Sequence, residues 1–370
     1  MENRAKKPVY DTCGATEYII SAENSKILSN QKDDARSRII KLVYYLSEHY
    51  FRTKVIHKEP NLRKINEQTN LVFAANHSGM SFPWDSFILY LTLLDDLGEK
   101  RELKALQTPA LNSSRLMSPF GVDKFWDYFC APATIKNFQQ SAWKKENIFI
   151  HPEGVAGIAK GFNKKYQMQK FSSSMVRICL QYNLPLVPVY IVNGEYLNPF
   201  AYKITILNQW VNKLGIPFLP ISPMIFPLLL VPFVFYMSLP ANLHYVIDKA
   251  IYLNNFTDKK YEELSVSEIH HITKMVQEEM QKNLDENVLI YGKNPYAIKS
   301  FLAEFKKLGT SSYKLFPGTW TFLFHKAARY KSGTAAITKE VILCTSLSLP
   351  IIGWPLYILS LAIFKMPNRY

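Results

Sequence analysis

The sequence has no Gly-x-Ser-x-Gly elbow, no Cys-x-x-Cys pair and no two histidines at the helical spacing of a metalloprotease. The first absence removes the strand-to-helix turn on which many serine hydrolases present their nucleophile. Cysteine is scarce: Cys13, Cys130, Cys179 and Cys344 lie far apart, and no secretory signal opens the chain. Free thiols in a reducing compartment are therefore expected, not a disulfide framework. His77, His151 and Glu153 are ligand types without a metal-site spacing, so no metal is expected. No nucleic-acid-binding module is recognisable either.

What is present is apolar and basic. Of 370 residues 48% are hydrophobic and 14% aromatic, enough for one large domain with appendages. Lysine and arginine number 44 against 30 acidic residues, a formal charge of +14, so the partners should be anionic. The basic residues alternate with Pro- and Phe-rich stretches and form no arm, which favours membrane surfaces and phosphorylated ligands over nucleic acid. Residues 1–34 are polar and aperiodic and read as a loose N-terminal segment. Residues 35–51 read as a helix with partly segregated apolar and basic faces, lying on a membrane or packed at the domain edge.

The chain is organised around Asn76–Asp85. The run Leu71–Ala75 before it predicts a short buried strand, and the apolar run after Ser81 and Pro83 predicts a helix. His77 then sits in a strand-end loop and Asp85 in the first helical turn, so the two can face each other as an acid/base dyad. An acid in a first turn also complements the helix dipole without any catalytic duty. A second apolar strand, Ile148–Ile150, runs into His151-Pro152-Glu153-Gly154, followed by Val155–Lys170, which holds four lysines and no acid. A helix over Ser172–Tyr182 and a strand over Leu186–Val192 come next. With a strand near Leu103–Leu106, an aromatic-rich stretch Leu116–Cys130 and a helix over Ile135–Lys145, this alternation predicts a mostly parallel sheet flanked by helices, an α/β fold.

These motifs resemble the glycerolipid acyltransferase family, typified by lysophosphatidic acid and glycerol-3-phosphate acyltransferases. Asn76, His77 and Asp85 match its first motif, Pro152, Glu153 and Gly154 its third, and Val187, Pro188 and Val189 its fourth, over about residues 35–290. Three departures stand out. Seven residues separate His77 from Asp85 where the family has four, and His151 replaces an aromatic. The second motif's region offers Gly121, Phe125 and Lys136 without the expected Arg.

The resemblance implies transfer of a fatty acyl group from acyl-CoA or an acyl carrier protein to a hydroxyl of a glycerolipid, a lysophospholipid, glycerol phosphate or a similar acceptor. His77 would be the general base, Asp85 would hold its tautomer, and Glu153 with Gly154 would position the acceptor. No cofactor and no covalent acyl-enzyme are implied. Lys160, Lys164 and Lys165, in the loop after Pro-Glu-Gly, are expected to meet a phosphate of acceptor or carrier. Two alternatives remain: a serine-type lipid hydrolase using Ser78, and an inactive lipid-binding or membrane-tethering protein.

Two apolar segments are expected at a membrane. Residues 216–240 carry six prolines and no charge, which suits an interfacial or re-entrant lobe, or a Pro-rich core loop, better than a spanning helix. A strand over Leu243–Ile247 and an amphipathic helix over Ser265–Asn287 close the acyltransferase domain. Residues 291–370 form a basic tail whose segment 341–364 has 24 uncharged residues, about 36 Å as a helix against a hydrocarbon core of about 30 Å. Pro350 and Pro355 would kink or fold it back. The heavier basic flank precedes the segment, so the catalytic domain is expected on the cytoplasmic face.

Overall fold

In this computed structural model, residues 9–10, 16–19, 21, 25, 34–98, 101–107, 130–204, 206, 208–209, 220–328, 349–356 and 359 are described. The strands are β1 (Val9–Tyr10), β2 (Thr16–Ile19), β3 (Lys54–His57), β4 (Val72–Ala75), β5 (Leu103–Gln107), β6 (Cys130–Pro132), β7 (Asn147–Ile150), β8 (Leu186–Val192), β9 (Tyr202–Lys203), β10 (Pro220–Ile221) and β11 (His244–Ile247). Nine of them form one sheet in the order β1-β2-β3-β11-β8-β4-β7-β5-β6, and β9 pairs with β10 apart from it. From β8 to β6 every pairing is parallel. On the other side β11 runs antiparallel to β8 but parallel to β3, and β2 and β1 add an antiparallel edge.

The sheet is covered on both faces, which is why its central strands read as continuous apolar runs without alternation. All seven residues of β8 and all four of β4 are buried. The helices are α1 (Ala35–Tyr45), α2 (Leu62–Gln68), α3 (Trp84–Leu97), α4 (Ile135–Trp143), α5 (Val155–Ile158), α6 (Ser174–Gln181), α7 (Ile225–Leu230), α8 (Val266–Tyr291), α9 (Ile298–Leu308) and α10 (Trp320–Ala328). Successive strand residues face opposite ways. Phe73 of β4 joins a core with α1, α3 and α10, whereas Val72 and Ala74 join one with α4, α6 and α8.

Four features bear on the expectations. The apolar face of α1 is buried within the fold: Ile39, Ile40, Val43 and Tyr44 are covered, Arg38 Nε donates to Ala327 O, and the Tyr44 hydroxyl donates to Asp95. Domain-edge packing is thus what that face does. Within the segment expected to be loose, Thr16–Ile19 pairs with β3, with Glu17 on Lys54 at 2.9 Å and the Tyr18 hydroxyl on Asp96. Four residues at a sheet edge carry too little periodicity to be read in advance; the rest of that segment, apart from β1, Ser21, Ser25 and Asp34, lies outside the described residues.

Past residue 290 the chain still belongs to the core, for Trp320 is 1% exposed and packs on Tyr50, Phe51 and Trp84. Residues 220–240 form a lobe of short turns, where α7 leaves Phe226, Leu229 and Leu230 more than half exposed. Trp354 Nε1 donates to Leu228 O there, and Ile351 N to Leu230 O. Most of 341–364, and Gly121 and Phe125, lie outside the described residues. Among the described residues no helix is long and apolar enough to cross a membrane.

Candidate active site

The site forms where β4, β7 and β8 end side by side. Asn76 extends β4 by imitation: its Oδ1 accepts from Ile191 N at 2.7 Å and its Nδ2 donates to Ile191 O at 3.1 Å, so the side chain pairs with β8 as another strand residue would. That fixes the direction in which the next residue leaves the sheet. His77 N donates to Glu153 Oε1 at 2.8 Å, tying the end of β4 to the Pro-Glu-Gly loop after β7. Further along, Asn198 Nδ2 holds Met80 O at 2.6 Å, and Pro83 leads into α3.

The long connection still brings the dyad together. His77 Nδ1 lies 3.6 Å from Asp85 Oδ2, an ion-pair contact slightly beyond hydrogen-bond length. The same oxygen accepts from the Ser78 hydroxyl at 2.5 Å and from Ser78 N at 3.3 Å. Asp85 is fully buried in the first turn of α3, and the Tyr245 hydroxyl donates to its backbone oxygen. Burial by itself would raise the Asp85 carboxyl. The His77 imidazole beside it and the Ser78 hydroxyl outweigh it and hold the group below the usual carboxylate range. Asp85 is therefore an anion facing His77 Nδ1, and Nε2 is the nitrogen left for a reacting group.

His151 occupies the face of His77, ring centroids 4.1 Å apart. Burial, and then the adjacent His77, push its imidazole down to about 3, so it is neutral at ordinary pH. Glu153 has both carboxylate oxygens on backbone N–H groups, Oε1 on His77 and Oε2 on Gln169. Gly154 takes φ 56°, ψ −143°, a conformation that favours glycine, and leads into α5.

The three lysines do not act as a set. Lys160 is buried and its Nζ lies 3.1 Å from Glu195 Oε1, so its charge has a partner inside the protein. Lys164 is exposed. Lys165 is exposed too, its Nζ over the Phe162 ring and 3.3 Å from the Tyr196 hydroxyl.

Ser78, the nucleophile of the hydrolase alternative, is buried and gives its hydroxyl to Asp85. The structure also adds residues that sequence reasoning missed. A Cβ on Gly157 would sit 2.7 Å from Glu153 Cβ and 2.8 Å from His77 Cβ, and one on Gly194 would sit 2.6 Å from Ser78 Cβ. Only glycine allows α5 and the turn after β8 to approach this closely; a glycine inside a helical turn was the one available signal. Among the described residues no group of three or more His, Cys, Asp or Glu side chains is placed to hold a metal ion. His77 and His151 are stacked and do not converge on a common point.

No protein-family model matches the chain. It is 25% identical over 215 residues to an uncharacterized protein of Mycobacterium leprae, covering 57% of this chain and 54% of that one. An uncharacterized protein of Mycobacterium tuberculosis is 23% identical over 188 residues, covering 50% and 49%. The chain thus spans about half the length of the curated relatives it matches. The crystal structure of a 1-acyl-sn-glycerophosphate (LPA) acyltransferase from Thermotoga maritima superposes with a TM-score of 0.39 at 12% identity, over 70% of this chain and 86% of that one.

Proposed function

We propose that this chain is a membrane-associated O-acyltransferase that moves a fatty acyl group from acyl-CoA or an acyl carrier protein to a hydroxyl of a glycerolipid or its precursor. The observation that carries this reading is the contact of His77 with a buried, ionised Asp85 across seven intervening residues, braced from behind by the glutamate of Pro-Glu-Gly. A loop of that length has no local reason to close on one carboxylate, and here Asn76, Ser78 and Glu153 all act to close it.

In the reaction His77 Nε2 takes the proton of the acceptor hydroxyl as its oxygen attacks the thioester carbon, and the thiolate leaves with a proton returned to it. Asp85 keeps the Nδ1–H tautomer and stabilises the imidazolium. Backbone N–H groups of the strand-end loops are the oxyanion donors, and Glu153 with Gly154 shapes the acceptor side. Lys164 and Lys165, exposed in the loop beyond, are the phosphate-facing cations; Lys160 supports that loop through Glu195. The lobe with Phe226, Leu229 and Leu230 exposed, the net charge of +14 and the segment 341–364 support a membrane location with the catalytic domain on the cytoplasmic face. The hydrolase alternative is weaker, because Ser78 is committed to Asp85 and not to a base.

Purified protein incubated with labelled acyl-CoA or acyl carrier protein and a panel of glycerol 3-phosphate, lysophospholipids and diacylglycerol tests the proposal. Label should move to one acceptor class. Release of free fatty acid with every acceptor would favour hydrolysis, and no turnover with any pair would favour an inactive lipid-binding protein.

A further inference from the structure

The proposed mechanism gives His77 a partner at its edge but none at its face. An edge contact of 3.6 Å leaves an imidazole free to turn about its second side-chain torsion, which is broad and roughly two-fold. A base that turns loses both its tautomer and its aim. The face of the ring is where the remaining constraint lies.

His151 covers that face, with the two planes 18° apart. The sheet brings the two rings into reach: β4 and β7 are adjacent and parallel, with Ala74 opposite Ile150, so His151 leaves β7 level with Ala75 and the chain beyond β4 carries His77 back over its ring. His151 is itself immobilised. Its Nδ1 donates to Ala75 O at 3.1 Å and to Asn76 O at 3.2 Å, which leaves Nε2 to accept from the Ser86 hydroxyl at 2.8 Å. The Phe149 ring meets it edge-on, 5.0 Å between centroids. The ring is thereby fastened to the ends of two strands and to the first turn of α3, which also carries Asp85.

The geometry points to His151 as a positioning residue for His77: a locked, flat ring on which the His77 imidazole lies, so that Nδ1 stays on Asp85 and Nε2 stays aimed at the acceptor. This rests on the assignment of His77 as the base. The neutral state of His151 serves the same end, since a second cation at 4.1 Å would oppose protonation of His77 during turnover.

The test compares His151→Phe, which keeps a ring face and loses the polar edge, with His151→Gln, which keeps polar partners and loses the face. His77 is observed by nitrogen-edited NMR of the imidazoles, assigned with His77→Gln, and each variant is assayed for acyl transfer. In His151→Phe the His77 signals should keep the single Nδ1–H tautomer of the wild type. In His151→Gln the tautomer preference should be lost, with a fall in kcat of roughly 10- to 100-fold below the Phe variant and little change in KM. A Phe variant as mixed in tautomer as the Gln variant, or a Gln variant that keeps the wild-type tautomer, overturns the inference. His151→Tyr replaces the Phe variant if that chain does not fold. Absence of acyl transfer in the wild type would remove the proposed function but leave the tautomer comparison readable.

Discussion

Replacing Gly157 by alanine probes the site without substituting any reacting group. The new methyl would lie 2.8 Å from His77 Cβ and 2.7 Å from Glu153 Cβ, against about 3.5 Å for the closest comfortable carbon contact, so each is short by about 0.7 Å or more. Neither neighbour can rotate away, because a Cβ moves only with its backbone. Glu153 is further held by His77 N and Gln169 N, so the displacement falls on the dyad. Overpacking of this kind costs about 1–3 kcal/mol, and a shift of about 1 Å at a catalytic group costs up to roughly 100-fold in rate. The opposing effect is small: alanine is favoured over glycine in a helix by about 1 kcal/mol, and α5 is a single turn. Gly157→Ala is therefore expected to lose about 1–2 kcal/mol in urea unfolding and roughly 10- to 100-fold in acyl-transfer kcat. A variant with a raised unfolding midpoint and unchanged turnover would refute the reasoning, since propensity alone would then have decided the outcome.

Four further outcomes are expected. His77→Ala should lower acyl transfer by roughly 10²–10⁴-fold while the chain stays folded, and Asp85→Asn should also lower it by misdirecting the imidazole; wild-type turnover in His77→Ala would end the proposed mechanism. Lys160→Met should cost about 3–5 kcal/mol in urea unfolding, and adding Glu195→Leu should return most of it, because a lone buried charge is worse than none; a raised KM for phosphorylated substrate at unchanged stability would instead make Lys160 a ligand. His151 and His244 are pushed by burial to about 3 and about 4, below an unfolded value of about 6.5, so the unfolded chain binds more protons under acid conditions and stability should fall as pH drops below about 6.5. Asp85, held low, extends that loss below about pH 4, and urea midpoints that stay flat between pH 7 and 4 would contradict it. Serine at Phe226, Leu229 and Leu230 together should weaken binding to anionic vesicles at least about tenfold without changing the unfolding midpoint, each exposed side chain being worth up to about 1.5–3 kcal/mol when inserted; unchanged binding would remove α7 from the membrane contact.

Periodicity and punctuation made the elements around the site legible. Leu186–Val192 reads as a strand and is one over that very range, and the helices after Pro83 and Ser265 begin where proline and a capping serine announce them. His77 and Asp85 could be picked out as a strand-end histidine and a first-turn acid, whereas Asn76 and Glu153 were marked by the resemblance of their motifs to the acyltransferase family. Local order and residue type are properties of short windows, and the sequence contains them outright. Strand order is not such a property. Only the fold places β7 beside β4 and so turns His151 from a substituted aromatic into the ring under His77. The fold likewise turns Lys160 inward to Glu195, 35 residues along the chain, and spends Asn76 on β8 and Glu153 on the backbone of His77. The need for glycine at 157 is set by two side chains that approach it from outside its own turn. Contacts between residues far apart in sequence depend on packing many segments at once, and no window of the sequence holds that information.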